Sequence, residues 1–397
     1  MNAHPPTHEN VMKTKLQRIT ALATCLGATL ANSVLAQPFD AGSTGADGPL
    51  NITSNTVLAL PTNGIFHFTT IHVAAGTTLT FTRNSLNTPV HLLAVSNVTI
   101  NGTIDVSGQF GNSTAGGRGG PGGFDGGMPG LDANTPPGAG YGPGAGRGGA
   151  QCCGISSAGA GGYSGAGGQT TTNKGAAYGS PLLMPLAGGS GGGGYAGNPG
   201  VGGGGGGGAI LIASSTRIDI NNPGRVLANG SGGCYNDGSG GAIRLLAPLV
   251  TGNGTLNAFP GCNGGGSAGR IRVDTTNRRL MTLVSSPVAS IGANMASFPN
   301  VSSRLDIVEA AGTTIPVGTP APVSVQLPFG STSNRTVTVQ ASDFNAVVPI
   351  SVVLTPDSGA PLVYQTTIDN LANNPAQTVV NVNVPVNVVV TINAWTR

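Results

Sequence analysis

The chain has 397 residues, a formal net charge of +3, 68 glycines, 28 prolines, 8% charged residues and 4% aromatics. Average soluble domains carry about 25% charged residues and about 7% glycine, so an ordinary cytosolic enzyme is a poor match. Dense Val/Ile/Thr runs argue against global disorder, glycines without a strict three-residue period exclude collagen, and no clustered basic face points to nucleic acid.

Residues 1–36 read as a secretory signal peptide. Lys13, Lys15 and Arg18 precede an apolar stretch from Ile19 to Leu35 that ends in Val34-Leu35-Ala36 before Gln37, the pattern of a basic region, a short apolar region and a small-residue cleavage site. The expected location is therefore secreted or at the cell surface. No later run approaches the ~18 apolar residues of a membrane span. Lys13, Lys15, Arg18 and Glu9 leave with the leader, so the net charge falls from +3 to +1. Four cysteines remain, Cys152, Cys153, Cys234 and Cys262, and an even number in an exported chain reads as disulfides. No histidine lies near them in the sequence, and their spacing fits no zinc module.

Residues 37–60 are expected to form an N-terminal cap, and residues 61–285 carry a repeat. Val90–Ala94, Ala209–Ala213, Ala242–Ala247 and Gly269–Val273 align as short strands. A second strand follows the first three as Val98-Thr99-Ile100, Arg217-Ile218-Asp219-Ile220 and Leu249-Val250-Thr251. A third comes at once as Gly-x-apolar-x-apolar at Gly102–Val106, Gly224–Ala228 and Gly254–Ala258. Phe66, Phe68, Ile71, Val73, Leu79 and Phe81 supply a fainter first unit, giving about four and a half coils of about 25 to 33 residues, within the range of stacking repeats. Three short strands per repeat with Gly, Asn and Asp turns predict a parallel β-helix, right-handed by the crossover rule.

Cys234 and Cys262 are separated by the same interval as Ile243 and Ile271. Regular stacking would set them on one turn of adjacent coils, about 5 Å apart, so a disulfide is expected there, stabilising by roughly 3 to 4 kcal/mol. Cys152 and Cys153 are adjacent and either form a vicinal disulfide or remain thiols.

Residues 108–208 form a long insertion holding about forty of the 68 glycines. Shorter versions run from Gly230 to Gly241 and from Gly261 to Gly269, and all three leave the coil after its third strand. Two readings stand: a weakly ordered fringe, because glycine loses much entropy on folding, or extended polyproline-II-like segments bonded side by side. Tyr141, Tyr163, Tyr178, Tyr195 and Leu182-Leu183-Met184 favour order. The Gly204–Gly208 run precedes a strand and lacks a following Lys-Ser/Thr, so it is no phosphate loop, and no cofactor is expected.

Residues 286–304 read as a linker. Beyond it Val/Thr alternation in Val323–Leu327, Thr336–Val339, Ile350–Leu354, Val379–Val384 and Val388–Ile392 predicts an immunoglobulin-like β-sandwich over residues 305–397, expected to cap the open edge of the coils. The fold class is thus all-β: a right-handed parallel β-helix with a long glycine-rich insertion, then a sandwich.

The pattern Leu92-Leu93-Ala94 with Val98-Thr99-Ile100-Asn101-Gly102-Thr103-Ile104-Asp105-Val106-Ser107-Gly108 resembles right-handed β-helix proteins of the pectin-lyase-like and filamentous-adhesin type. Gly240-Gly241-Ala242-Ile243-Arg244-Leu245 resembles glycine-rich exported bacterial proteins. The resemblance covers residues 60–280 and implies carbohydrate or surface contact, but patterns of this kind specify fold rather than activity.

Glycoside hydrolysis needs two carboxyl groups about 5 to 9.5 Å apart. After the leader the only glutamate is Glu309, Asp105 aligns with Leu227 and Asn257, and Asp219 aligns with Thr99, so no acidic pair stacks and no catalytic residue is assigned. Arg244 and Arg272 share a register with Arg270 beside them. Facing outward they would form a ligand-binding array for uronate or phosphate, the alternative being solvated side chains splayed apart. His67 and His91 are a weaker outward pair near His72, without an assigned metal. The Thr78-Leu79-Thr80 start of an ice-binding ladder is broken at Arg225 and Leu227.

The leading expectation is an exported, non-catalytic structural or adhesive surface protein contacting polysaccharide or a cell surface, with self-association open to it. The alternative is a polysaccharide lyase or hydrolase on the same scaffold, with Arg244 or Arg272 the only base by position, and the third reading is an ice or mineral binder.

Overall fold

Strands of three to five residues bury too little to stand alone, so each must pair with its counterpart in the next repeat. The computed structural model describes residues 39–132, 134–150, 157–168, 172–197, 199–232, 236–261, 265–298, 303–319 and 322–396, and among these there is no α-helix. Residues 1–36, where a leader is expected, and all five cysteines, including Cys152, Cys153, Cys234 and Cys262, lie outside the described residues.

The first circuit of the chain is β1 (Leu50–Ile52), β2 (Thr56–Ala59) and β3 (Ile65–Phe68). The second is β4 (Ile71–Val73), β5 (Thr78–Thr82) and β6 (Val90–Ala94). The third is β7 (Val98–Ile100), β8 (Thr103–Asp105) and, after the long insertion, β9 (Ala209–Ser214). Then come β10 (Arg217–Ile220), β11 (Arg225–Leu227) and β12 (Ala242–Leu246), followed by β13 (Leu249–Thr251), β14 (Thr255–Asn257) and β15 (Arg270–Asp274). A last circuit holds β16 (Val284–Ser286) and β17 (Ser290–Gly292). Every third strand pairs, giving three walls: β1-β4-β7-β10-β13, β2-β5-β8-β11-β14-β16 and β3-β6-β9-β12-β15-β17. All pairings in them are parallel.

Ile243 pairs with Ile271, and Leu227 with both Asp105 and Asn257, as the repeat requires. One alignment is corrected: Val90 pairs with Ile210, not Ala209. The pattern could not fix it because the third wall is buried on both faces, and such strands read as continuous apolar runs. Ile210, Ile212, Ile243 and Leu245 face the central core. Leu93, Leu211, Ala213 and Leu246 face outward into a second cluster with Ala41, covered by Phe39, Leu186, Met295 and Phe298. Every residue of β9 and β12 is buried.

All three glycine-rich insertions lie between a second-wall strand and the next third-wall strand, and their described residues are joined by backbone hydrogen bonds. Successive amides of one segment donate in three directions. Gly202, Gly205 and Gly208 donate to the carbonyls of Asn112, Gln109 and Val106; Gly203 and Gly206 to Gly127 and Phe124; Gly204 and Gly207 to Asn236 and Ser239, all at 2.8–3.0 Å. The neighbouring segment repeats the scheme, with Gly188, Gly191 and Gly194 donating to Gly122, Tyr141 and Gly138, and Gly189 and Gly192 donating to Gly207 and Gly204. A three-residue period of bonding directions is that of a polyproline-II-like helix, so the side-by-side reading holds. The segments approach too closely for side chains: a Cβ on Gly206 would collide with the Gly189 carbonyl, and one on Gly203 with that of Gly192. Tyr163 and Leu183 anchor the layer against Ala209 and Ala242 of the third wall, and the Tyr163 hydroxyl donates to the Ala187 carbonyl at 2.8 Å.

The remaining strands are β18 (Arg304–Ala310), β19 (Thr313–Thr314), β20 (Val323–Gln326), β21 (Asn334–Ser342), β22 (Val347–Pro356), β23 (Leu362–Asp369), β24 (Ala376–Asn383) and β25 (Val389–Thr396). They form two antiparallel sheets, β19-β18-β21-β24 and β20-β25-β22-β23, around a separate apolar cluster. These sheets do not cap the coils as expected. They meet the glycine layer instead, where Trp395 stands edge-on to Phe124 with centroids 5.2 Å apart and the Ser358 hydroxyl donates to the Pro136 carbonyl at 2.8 Å.

A methyl group at the centre of the layer should therefore strain it. Gly206→Ala is expected to cost about 1–3 kcal/mol, in the range for overpacking, read as a lower denaturant midpoint.

Candidate functional site

The outer face of the third wall carries one continuous row, Ile65, His91, Leu211, Arg244, Arg272 and Ser290. Arg244 and Arg272 are direct cross-strand partners, as their spacing predicts. Like charges at strand spacing repel, and Asp274, two positions beyond Arg272, bridges the pair and offsets one of its two charges. Its Oδ2 accepts Arg244 Nε and Nη2 at 3.2 and 3.1 Å, while Arg272 Nη2 reaches Oδ1 at 2.7 Å. Arg244 is 1% exposed and Asp274 0%. The outward, ligand-facing array expected from register alone is thus corrected: the arginines turn onto a buried carboxylate rather than into solvent. Burial lowers the pKa of the Arg244 guanidinium and Asp274 opposes that shift.

Arg270 is also engaged. Its guanidinium lies 5.4 Å above the Tyr163 ring, and Nη2 donates to the Tyr178 carbonyl at 3.1 Å. Burial in turn raises the Tyr163 pKa.

Together these groups fasten residues 293–298 across the wall. The Asn294 carbonyl accepts Arg244 Nη2 at 3.0 Å, its amide donates to Asp274 Oδ1 at 2.9 Å, and the Ser297 hydroxyl donates to the Ala41 carbonyl at 2.9 Å. A strap from the end of the coils is thereby tied to the segment before β1, which lies along the third wall beside Leu211 and Ser215. The nearby histidines do not stack: His67 pairs with Leu93 and His91 with Ile65, and His72 lies on the first wall, 3.0 Å from Asn51 Oδ1. His91 packs against Phe298 with centroids 5.2 Å apart, and burial lowers its pKa from 6.5 to about 4.

The outward faces of the first and second walls are polar. One row runs Asn51, His72, Thr99, Asp219 and Thr251. Asp219 has threonines on both sides and accepts from the Thr251 hydroxyl and Arg217. The adjacent row runs Thr78, Thr103, Arg225 and Thr255. At the corner between them Asn221 Nδ2 donates to Asn101 Oδ1 at 3.2 Å, and the Asn222 amide donates to Asn253 Oδ1 at 2.9 Å. This asparagine corner was missed in the sequence, although Asn101 and Asn253 directly precede Gly102 and Gly254 and Asn221-Asn222-Pro223 precedes Gly224.

Asp274→Ala leaves a buried guanidinium unpaired and should cost about 3–5 kcal/mol, with protease cleavage appearing in residues 293–298. Breaking the half-exposed Arg304–Asp306 pair should cost under about 1 kcal/mol. The His91 shift sets a second expectation. Between pH 6.5 and about 4 the unfolded chain binds a proton on His91 that the folded chain refuses, so stability rises with pH across that window and falls on acidification. The loss approaches about 3 kcal/mol at the acid end, and His91→Phe should flatten this part of a pH series of denaturant midpoints.

Among the described residues no helix is long and apolar enough to cross a membrane. Compared with known proteins, the chain matches no family model, no curated protein and no solved structure. What is established is an all-β chain of parallel sheets followed by antiparallel ones.

Proposed function

We propose that the chain is an exported, non-catalytic structural or adhesive protein: a right-handed parallel β-helix whose two open walls contact polysaccharide, followed by an immunoglobulin-like β-sandwich. The observation that carries this reading is the division of labour among the walls. The third wall is covered on its outer face and its arginines are turned onto Asp274 and Tyr163. The other two expose Asn, Thr and His side chains in rows with a rung spacing of about 4.8 Å. Hydrogen-bonding side chains on a rigid lattice, uncharged in these rows apart from Asp219 and Arg225, suit the hydroxyl groups of an extended sugar chain, at little cost in ordering the protein.

A carbohydrate-active enzyme on this scaffold is the weaker reading, because two carboxyl groups are needed about 5 to 9.5 Å apart and the neighbours of Asp219 in its row are Thr99 and Thr251. An ice-binding ladder is interrupted at Arg225.

The test is binding of residues 37–397 to a panel of neutral and acidic polysaccharides, with the mixtures monitored for cleavage products. Binding without turnover is expected, weakened severalfold in Asn101→Ala/Asn221→Ala. Unsaturated or reducing-end product would overturn the non-catalytic reading, and absence of binding across the panel would overturn polysaccharide contact.

A further inference from the structure

The two ends of the coil stack differ. At the N-terminal end, Phe66 lies against Phe68 and Phe81 with centroids 5.5 and 6.3 Å apart, closing the core with aromatic rings. The third wall is protected there as well, since the Asp47 amide donates to the His67 carbonyl and the Thr69 amide to the Gly48 carbonyl. At the C-terminal end Met281, Leu283 and Ala289 pack against the core, but no aromatic ring closes it among the described residues. Ile291 pairs with the core residue Val273, so its side chain points inward, yet it is 43% exposed. In the same circuit Leu280 and Val288 are 71% and 90% exposed. β16 and β17 are terminal strands of their sheets, so each presents an unpaired backbone edge, the usual template for pairing with another chain. The antiparallel sheets, which seat on the glycine layer, leave these residues exposed.

The charges at the two ends are complementary. At the N-terminal end Asp47 accepts the His67 amide at the edge of the third wall, and residues 47–82 contain no Lys or Arg; residues 275–298 contain Arg278 and Arg279 and no Asp or Glu. All three are exposed. Arg278 and Arg279 lie in the last circuit, where Asn277 and Met281 bridge to Leu249 and Gly252 of the first wall. A symmetric contact between two C-terminal ends would bring these arginines against their own copies, a like-charge juxtaposition that disfavours the pairing. The N-terminal end of another molecule offers Asp47 and the unpaired edges of β1 and β2.

We propose that this protein associates head to tail with further copies of itself, the open C-terminal circuit of one molecule seating on the N-terminal circuit of the next. β16 then extends the second wall beside β2 of the neighbour, and Val288 and Ile291 are covered. Such a contact is heterologous and leaves a free end of each kind, so it grows as an open series rather than closing at two. It stands independently of what the open walls bind.

Sedimentation velocity of the purified protein over a range of concentrations and salt tests it. The expected result is a concentration-dependent series extending beyond dimer that weakens as salt is raised. Val288→Asp and Arg278→Glu/Arg279→Glu should each raise the dissociation constant at least tenfold with the circular dichroism spectrum unchanged. Asp47→Lys should weaken association in the same way, and mixing it with the Arg278→Glu/Arg279→Glu protein should restore hetero-association through the reversed pair. A monomer at all concentrations, a series that ignores these substitutions, or a closed dimer strengthened by Arg278→Glu/Arg279→Glu would overturn the proposal.

Discussion

Three neighbours can accept the successive amides of one glycine segment only if nothing projects between the chains, and most of the molecule's outer layering follows from that steric condition. Gly202–Gly208 is served on all sides, donating to residues 106–112, 124–127 and 236–239 and accepting from Gly117, Gly120, Gly189, Gly192 and Ser231. With nearly every backbone group paired inside the layer, glycine's entropic cost is offset by hydrogen bonds that side chains would have blocked. The layer then becomes a firm surface. It supports Tyr163 and Leu183 against the third wall, and it is where Phe124 receives Trp395.

Covering the third wall changes what its polar residues can be. A guanidinium on an uncovered wall would be solvated; beneath residues 293–298 it needs a partner, and Arg244 finds one in Asp274. Replacing such a pair by apolar residues is often neutral in stability, so its value here is geometric. Asp274 holds both Arg272 and the Asn294 amide, and the same strap reaches Ala41. One carboxylate thus ties the last circuits to the first described residues of the chain. The other two walls leave most of their polar rows at least partly exposed, with Asp219 and Thr251 buried against each other.

The repeat was legible because each strand type has its own turn signature: Ile243 with Ile271, Thr99 with Asp219 and Leu227 with Asn257 all meet as aligned. So was the shared corner of the insertions, since phase survives any length of insertion. Alternation failed where both faces are buried, which is why Val90 slipped by one residue. The direction of Arg244 was illegible for a related reason: register says which residues share a row, whereas burial depends on residues 293–298 and the glycine layer, remote in sequence and without apolar periodicity. The seating of the C-terminal sheets depended on Phe124 and Trp395, two aromatics 271 positions apart by number, with no local pattern to join them.

The three-direction bonding scheme also constrains how this layer can change in length. A turn of three residues returns each amide to the neighbour it faced before, so losing one residue between Gly202 and Gly208 would rotate every later donor by about a third of a turn and aim it at the wrong chain. Losing three would restore the facing. The glycine segments therefore keep a frame in space as a coding sequence keeps one in translation: they tolerate triplets and are thrown out of phase by anything else.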